Sequence, residues 1–511
     1  MITELLFEKI PRFFAFLYRL ICESFVFTAA KRAWRAICRE FSSSAAGRLL
    51  TERKNEGEAV SQSLLFRILD GVGRGIVKLL GKVIDVLTFG SRSFTGTRLL
   101  AKLRELYGFL DFEFLVGVSL WFFILCPGPM WHNVYGLAAA IFLLGVELIL
   151  MAADKREYVT LKRAGTAFFA FVLTTLVSVI SAGNRPDAMR VFVFYATSFI
   201  MTLVVIGTAT DKDKLKKILG FIYTAVILTA IYAFYQRAIG VEVSASLTDL
   251  TLNATMPGRV FSTFENPNNY AELLVLTMPI SVVYCTMIKQ KRVRAAALLL
   301  ELLPFAAILM TYSRSGWISF ALSVVIFIYF YDKKLLPVLL LVGICVIPFL
   351  PSSVTARIAT IGSTKDSSNH YRIYIWEAVM KMLDKDVNWL TGVGLGPASF
   401  REVYLPLCDP IAAPAQHAHM LYLETWIEQG IFGVLSYLAM LFSAVRRSLI
   451  AMKYASREVR LTVIACIASL GGIAFASAAE YIWYYPRVMV IYFVVLGLLY
   501  ACINIAEKER K

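Results

Sequence analysis

From Phe112 onward the hydrophobic residues fall neither at every second position nor along one stripe of a helix; they form near-continuous apolar runs divided by short polar connectors. The runs lie at about 112–127, 132–152, 162–181, 188–209, 215–236, 269–288, 295–312, 316–331, 335–350, 418–445, 461–480 and 487–506. A helix of about 20 apolar residues crosses roughly 30 Å of hydrocarbon, so this pattern predicts about twelve transmembrane helices. A membrane barrel is excluded, because its strands would alternate apolar and polar side chains. The expectation is an all-α polytopic membrane protein in which 111–350 carries spans one to nine and 418–511 carries spans ten to twelve and a tail.

Two stretches break the pattern. Residues 351–417 form a long polar loop between spans nine and ten. Within it, Asn369 to Met380 has helical spacing, with Ile373, Trp376 and Met380 on one face. Gly392-Val393-Gly394-Leu395-Gly396 follows; it fits neither nucleotide-binding glycine spacing and reads as a flexible turn beneath a lid. Residues 1–110 are the second exception. Glu8, Lys9, Arg12, Arg19 and Glu23 interrupt the first apolar patch too often for a signal peptide or a span. Phe7, Phe13, Phe14, Phe16, Leu17 and Leu20 beside Arg12, Arg19, Lys31, Arg32 and Arg35 read instead as basic amphipathic helix on the membrane surface. Ser42–Val60 looks like a linker and Leu64–Leu87 a second amphipathic stretch; a partner-binding domain or a re-entrant hairpin are the alternatives.

Composition agrees with the membrane reading: 58% of residues are hydrophobic. The net charge of +16 would suit nucleic acid, but its placement does not. Residues 1–110 hold 18 Lys/Arg against 10 Asp/Glu, which is half of that excess. Much of the rest sits in the connectors at 154–163, 211–217, 289–294, 332–334 and 446–460, all on the N-terminal side, which makes that side and both termini cytoplasmic. The outer face is different. Its cations are nearly all arginine: Arg185, Arg190, Arg237, Arg259, Arg314, Arg357, Arg372, Arg401 and Arg487. A guanidinium grips phosphate with a planar fork, whereas lysine is a hydrated point charge, so an anionic ligand is the simplest reason for arginine there. The eight cysteines lack C-x-x-C spacing and imply no disulfide framework or zinc site.

Three segments carry candidate chemistry. In Gly258 to Ala271, Pro267 sets a turn at the mouth of a span, with Arg259, Asn266 and Asn268 around it; Arg259 is either a phosphate ligand or a solvated loop cation. Arg314, between Ser313 and Ser315 in a pinched outer turn, either points inward or snorkels to water. His417 and His419 precede the third segment. If the helix begins before His419, Tyr422, Leu423, Trp426 and Gly430 share its side, whereas Glu424 points about 140° away, leaving the histidine without a helical carboxylate. A histidine at such a place can serve as a neutral general base, or be structural.

In this order the motifs resemble those of the O-antigen ligase and polymerase superfamily, bacterial membrane transferases of undecaprenyl-diphosphate-linked glycans. The likeness rests on the Gly-Arg…Asn-Pro-Asn mouth, Ser313-Arg314-Ser315, Arg372…Trp376, the glycine turn, and His419 followed by Gly430 and Gly433, over about residues 110–506. Met420 departs from the Asn, Ser or Gln usual after the histidine. The resemblance implies a GT-C-like fold and a metal-independent, inverting transfer on the outer face of the bacterial cytoplasmic membrane, with no cofactor. Arg259, Arg314 and Arg372 would hold the diphosphate and His419 would take the acceptor proton; Asn266, Asn268, Arg401 and His417 complete the expected substrate contacts. The partners would be a lipid-linked oligosaccharide donor and a glycan, lipid or wall-polymer acceptor. The rival from another class is a transporter or flippase for an anionic lipid-linked sugar, which would use charged groups at membrane depth such as Glu147, Glu272 and Glu301.

Overall fold

A computed structural model of the chain describes residues 32, 64–87, 111–153, 163–241, 258–361, 367–385 and 387–510. The first amphipathic stretch and the linker of the N-terminal segment lie outside these residues. The helices are α1 (Leu64–Leu87), α2 (Phe112–Leu125), α3 (Asn133–Ala153), α4 (Thr166–Ser181), α5 (Arg185–Thr208), α6 (Lys212–Ile239), α7 (Pro267–Thr286), α8 (Lys291–Leu300) and α9 (Leu302–Met310). They continue with α10 (Arg314–Asp332), α11 (Leu336–Val346), α12 (Ser352–Ala359), α13 (Ser367–Lys385), α14 (Pro397–Tyr404), α15 (Leu421–Ala451), α16 (Arg457–Ala476) and α17 (Pro486–Glu509).

Polar residues just ahead of the apolar runs start many of these helices by accepting from orphan backbone N–H groups. Asp111, Asn184, Asp211, Asn266 and Ser313 cap α2, α5, α6, α7 and α10 in this way. Seven of the described helical segments are long and apolar enough to cross a membrane, or eight if the run Arg314–Phe349, bent by 116° into Ser352–Ala359, is one span. Length and apolarity are thus those of a multi-pass helical protein; of the other expected spans, α2 and α4 are shorter apolar helices, Pro267–Thr286 does not pass on the same measure, and 316–331 and 335–350 fall in the one run Arg314–Phe349. Nearly every residue of α17 is buried, against α5, α15 and α16, while α16 packs in turn on α7 and α10. This central set is the core that positions the loops at the N-terminal ends of α7, α10 and α17. Helix α1 lies against α3.

Residues 351–417 are more ordered than an irregular polar loop. Helices α13 and α14 enclose a separate small core of Ile375, Val379, Met382, Phe400 and Tyr404, closed by Ile427 of α15. The buried stripe of α13 is therefore Ile375, Val379 and Met382, with Trp376 at its edge; Ile373 and Met380 are exposed. Both stripes have helical spacing, and only the position of α14 and α15 selects between them.

The glycine turn also differs from the flexible segment expected. Val393 N–H donates to Ile427 O at 2.7 Å, Gly394 N–H to Glu428 O at 3.1 Å, and Gly396 N–H to the Glu428 carboxylate at 2.8 Å. These bonds are possible because Gly430, at φ 68°, breaks the α15 ladder and turns its backbone outward. A Cβ on Gly392 would lie 2.4 Å from Ile427 O, so the turn docks through its missing side chains.

Candidate active site

The mouth of α7 is fixed from α6. Gln236 accepts from Phe261 N–H and Ser262 N–H and donates back to Ser262 O, which holds Ser262 at φ 53°. This aims Arg259 inward. Buried, it donates to Thr311 O at 2.7 Å and to Asn268 Oδ1 at 2.6 Å. Asn268 passes the contact on, its Nδ2 donating to Glu480 Oε1 at 3.2 Å, and the same oxygen accepts from Arg372 Nη2 at 2.5 Å. One chain of bonds therefore joins the α6–α7 loop, α13 and the α16–α17 turn.

Arg314 and Arg357 complete the group. Arg314 reaches Thr360 O at 2.9 Å and Asn369 Oδ1 at 3.4 Å, tying α10 to α12 and α13. Arg357, buried on α12, donates to Tyr312 O at 3.4 Å. Burial and the charges of Arg357 and Arg314, opposed by Glu480, push the Arg259 guanidinium down to about 9. Arg372 Nε is buried with no hydrogen-bond partner among the described residues. Arg314 and Arg357 thus flank Arg259, which is joined through Asn268 and Glu480 to Arg372, and the four guanidinium groups form an electropositive centre.

His419 does not lie on a helix. Helix α15 starts at Leu421 with Met420 as its cap, and His419 precedes both at φ 48°. The expected companions at helical offsets are corrected accordingly. The rings of His417 and His419 are 4.1 Å apart, and His419 N–H donates to His417 Nδ1 at 3.1 Å. Glu424 is not remote either: because the chain doubles back ahead of Leu421, its Oε2 accepts from Ala418 N–H at 2.5 Å. His417 is buried against Tyr484, with ring centroids 4.4 Å apart. Burial, together with the neighbouring His419 and Arg372 and despite Glu480, lowers its imidazole well below the usual range. His417 is thus neutral at neutral pH. His419 keeps about a quarter of its side chain exposed, and its Nδ1 stands 3.9 Å from Glu480 Oε2, close enough to pair but beyond hydrogen-bond reach.

Glu480 is the residue that pattern reading missed. It was absorbed into the end of the apolar run 461–480, but α16 stops at Ala476 and Glu480 N–H folds back onto Ala476 O. Burial pushes its carboxyl up; Arg372 and the two histidines overcome that and bring it down to about 2. An acid at the rim of a face rich in arginine was the available signal.

Residues 276–438 match the O-Antigen ligase family model. The resemblance read from the motifs is therefore supported over this segment, which is similar to the O-antigen ligase family. A comparison with curated proteins finds no match. The O-antigen ligase segment contains Arg314, Arg357, Arg372, His417 and His419, whereas Arg259, Asn268 and Glu480 join it from outside. Two further expected substrate contacts have protein partners. Asn266 caps α7 and donates to Tyr485 OH at 3.4 Å. Arg401 donates to Ala413 O and Ala415 O, bracing the irregular segment that leads to His417.

Proposed function

We propose that this O-antigen ligase-type protein transfers a glycan from an undecaprenyl-diphosphate donor to an acceptor hydroxyl on the outer face of the cytoplasmic membrane. The observation that carries the reading is the convergence of Arg259, Arg314, Arg357 and Arg372, delivered by four separate segments to one partly buried place. A cluster of like charges opposes folding unless an anion repays it, and a diphosphate offers two adjacent negative groups for guanidinium forks.

In this scheme the arginines bind the donor diphosphate. His419 accepts the proton of the acceptor hydroxyl as its oxygen attacks the anomeric carbon from the face opposite the diphosphate. The bond from that carbon to the phosphate oxygen breaks, its electron pair leaves with undecaprenyl diphosphate, and configuration inverts. The arginines stabilise the charge that appears on the leaving group, so the step needs no metal ion. Glu480, ionised beside Arg372 and His419, steadies the imidazolium that forms. The twelve-span topology with cytoplasmic termini belongs to the same reading and puts the arginine cluster on the outer face.

The test is transfer in vitro by the purified protein with an undecaprenyl-diphosphate glycan, comparing wild type with His419→Ala and Arg314→Ala. Loss in both supports the mechanism; unchanged transfer by both sinks it. The product separates a ligase, which glycosylates a lipid, wall polymer or protein, from a polymerase, which extends another lipid-linked repeat.

A further inference from the structure

The peptide between the two histidines is gripped from both sides. Ala418 N–H donates to Glu424 Oε2 at 2.5 Å, and Ala418 O accepts from Trp376 Nε1 at 2.9 Å. Glu424 is itself almost wholly buried on the first turn of α15, and Trp376 comes from α13 in the outer subdomain. Ala418 is buried, so neither of its backbone groups has water as a substitute partner. His419, the next residue, sits at φ 48°, a conformation that costs a non-glycine residue energy and persists only when its surroundings impose it. His419 N–H then closes onto His417 Nδ1.

We infer that Glu424 is a positioning residue for the histidine pair: its carboxylate oxygen anchors the Ala418 peptide and thereby places the His419 imidazole against the donor site. The inference rests on the reading of His419 as the base. Glu424 acts through the backbone and touches no substrate. What it supplies is a hydrogen-bond acceptor, which an amide oxygen at the same place also supplies. The clamp has one jaw in the membrane bundle and the other in the outer subdomain, so packing of the subdomain and placement of the base are one event.

The experiment measures kcat and donor KM for transfer by Glu424→Leu, Glu424→Gln and Trp376→Phe, with thermal unfolding in detergent recorded for each. A displacement of about 1 Å in a reacting group can cost on the order of 100-fold in rate. Glu424→Leu is expected to lower kcat about 10- to 100-fold with donor KM unchanged, and Glu424→Gln to stay within about threefold of wild type. Three results overturn the inference: full kcat in Glu424→Leu, a rise in donor KM with kcat intact, or a Gln variant as impaired as Leu. If Glu424→Leu does not fold, Trp376→Phe decides. It removes the opposite jaw's N–H together with part of the ring, and a full kcat there overturns the clamp. His419→Ala with wild-type transfer would instead overturn the base assignment, a result distinct from any of these.

Discussion

Arg259 and Arg487 are both buried and both stand at the same end of the bundle, yet their surroundings differ in charge. Arg487 donates to Cys126 O and to Thr263 O at 2.7 Å, and its guanidinium lies 4.0 Å over the Phe264 ring. Its neighbours are carbonyl dipoles and a ring face, which share the charge locally and lock α17 to α2 and the α6–α7 loop. Burial lowers the proton affinity of the Arg259 guanidinium and the cations Arg357 and Arg314 add to it, whereas among the described residues no neighbouring cation does so at Arg487. The lesson is that burial of an arginine says little about its role. What distinguishes a ligand site from a brace is whether the neighbouring charges are complementary or alike.

The comparison breaks most sharply in activity. His419→Ala, Arg372→Ala and Arg314→Ala are each expected to reduce transfer by about 100-fold or more, since general-base and charge-stabilising groups each contribute on that order. Arg→Lys at 314 or 372 should recover little, because lysine offers no fork. Glu480→Gln comes next, with kcat falling about 10-fold or more as His419 and Arg372 lose their shared counter-charge. It also carries a pH signature. The Glu480 carboxyl titrates lower when folded than the usual value near 4.5, so its stabilising contribution is present above that value and is lost as pH falls toward about 2. Thermal unfolding in detergent across that range should be steeper for wild type than for Glu480→Gln.

Arg487→Leu should show the reverse profile. Orphaned carbonyls cost about 1–3 kcal/mol, read as a lower unfolding temperature, while the folded protein retains most of its donor KM. Arg401→Ala is expected to have the smallest effect, about 1 kcal/mol or slightly more, because its two carbonyl contacts lie in the outer subdomain. A strong loss of donor binding in Arg487→Leu, with none in Arg259→Ala, would invert the distinction between brace and ligand.

The membrane-spanning character of the chain was readable because hydrocarbon imposes a length and a polarity on every span. The arginines stood out because the expected topology puts them where positive charge is disfavoured, and the structure gathers Arg259, Arg314, Arg357 and Arg372 in one region. What escaped was geometry at the ends of helices. Glu480 sits four residues past the last residue of α16, and an apolar run alone does not show where the helix unwinds. Likewise Met420, which interrupts the family pattern, caps α15, so the helix begins after the histidines and Glu424 swings back to them. The face of α13 was misassigned because its sequence offers two apolar stripes and only tertiary packing chooses one.

Among the described residues, three non-glycines adopt a left-handed backbone, Ser262, Tyr312 and His419, and each lies within three residues of a group in the electropositive centre or belongs to the histidine pair. At such a position a substitution changes two things at once, the side chain and the ease with which the chain takes its pose. Asparagine and glycine visit this region readily, whereas alanine resists it by about 1–2 kcal/mol. His419→Ala therefore removes an imidazole and perturbs the path of Ala418 and Met420 together. His419→Asn removes the imidazole alone, and the difference between the two variants measures how much of the defect is chemistry and how much is posture.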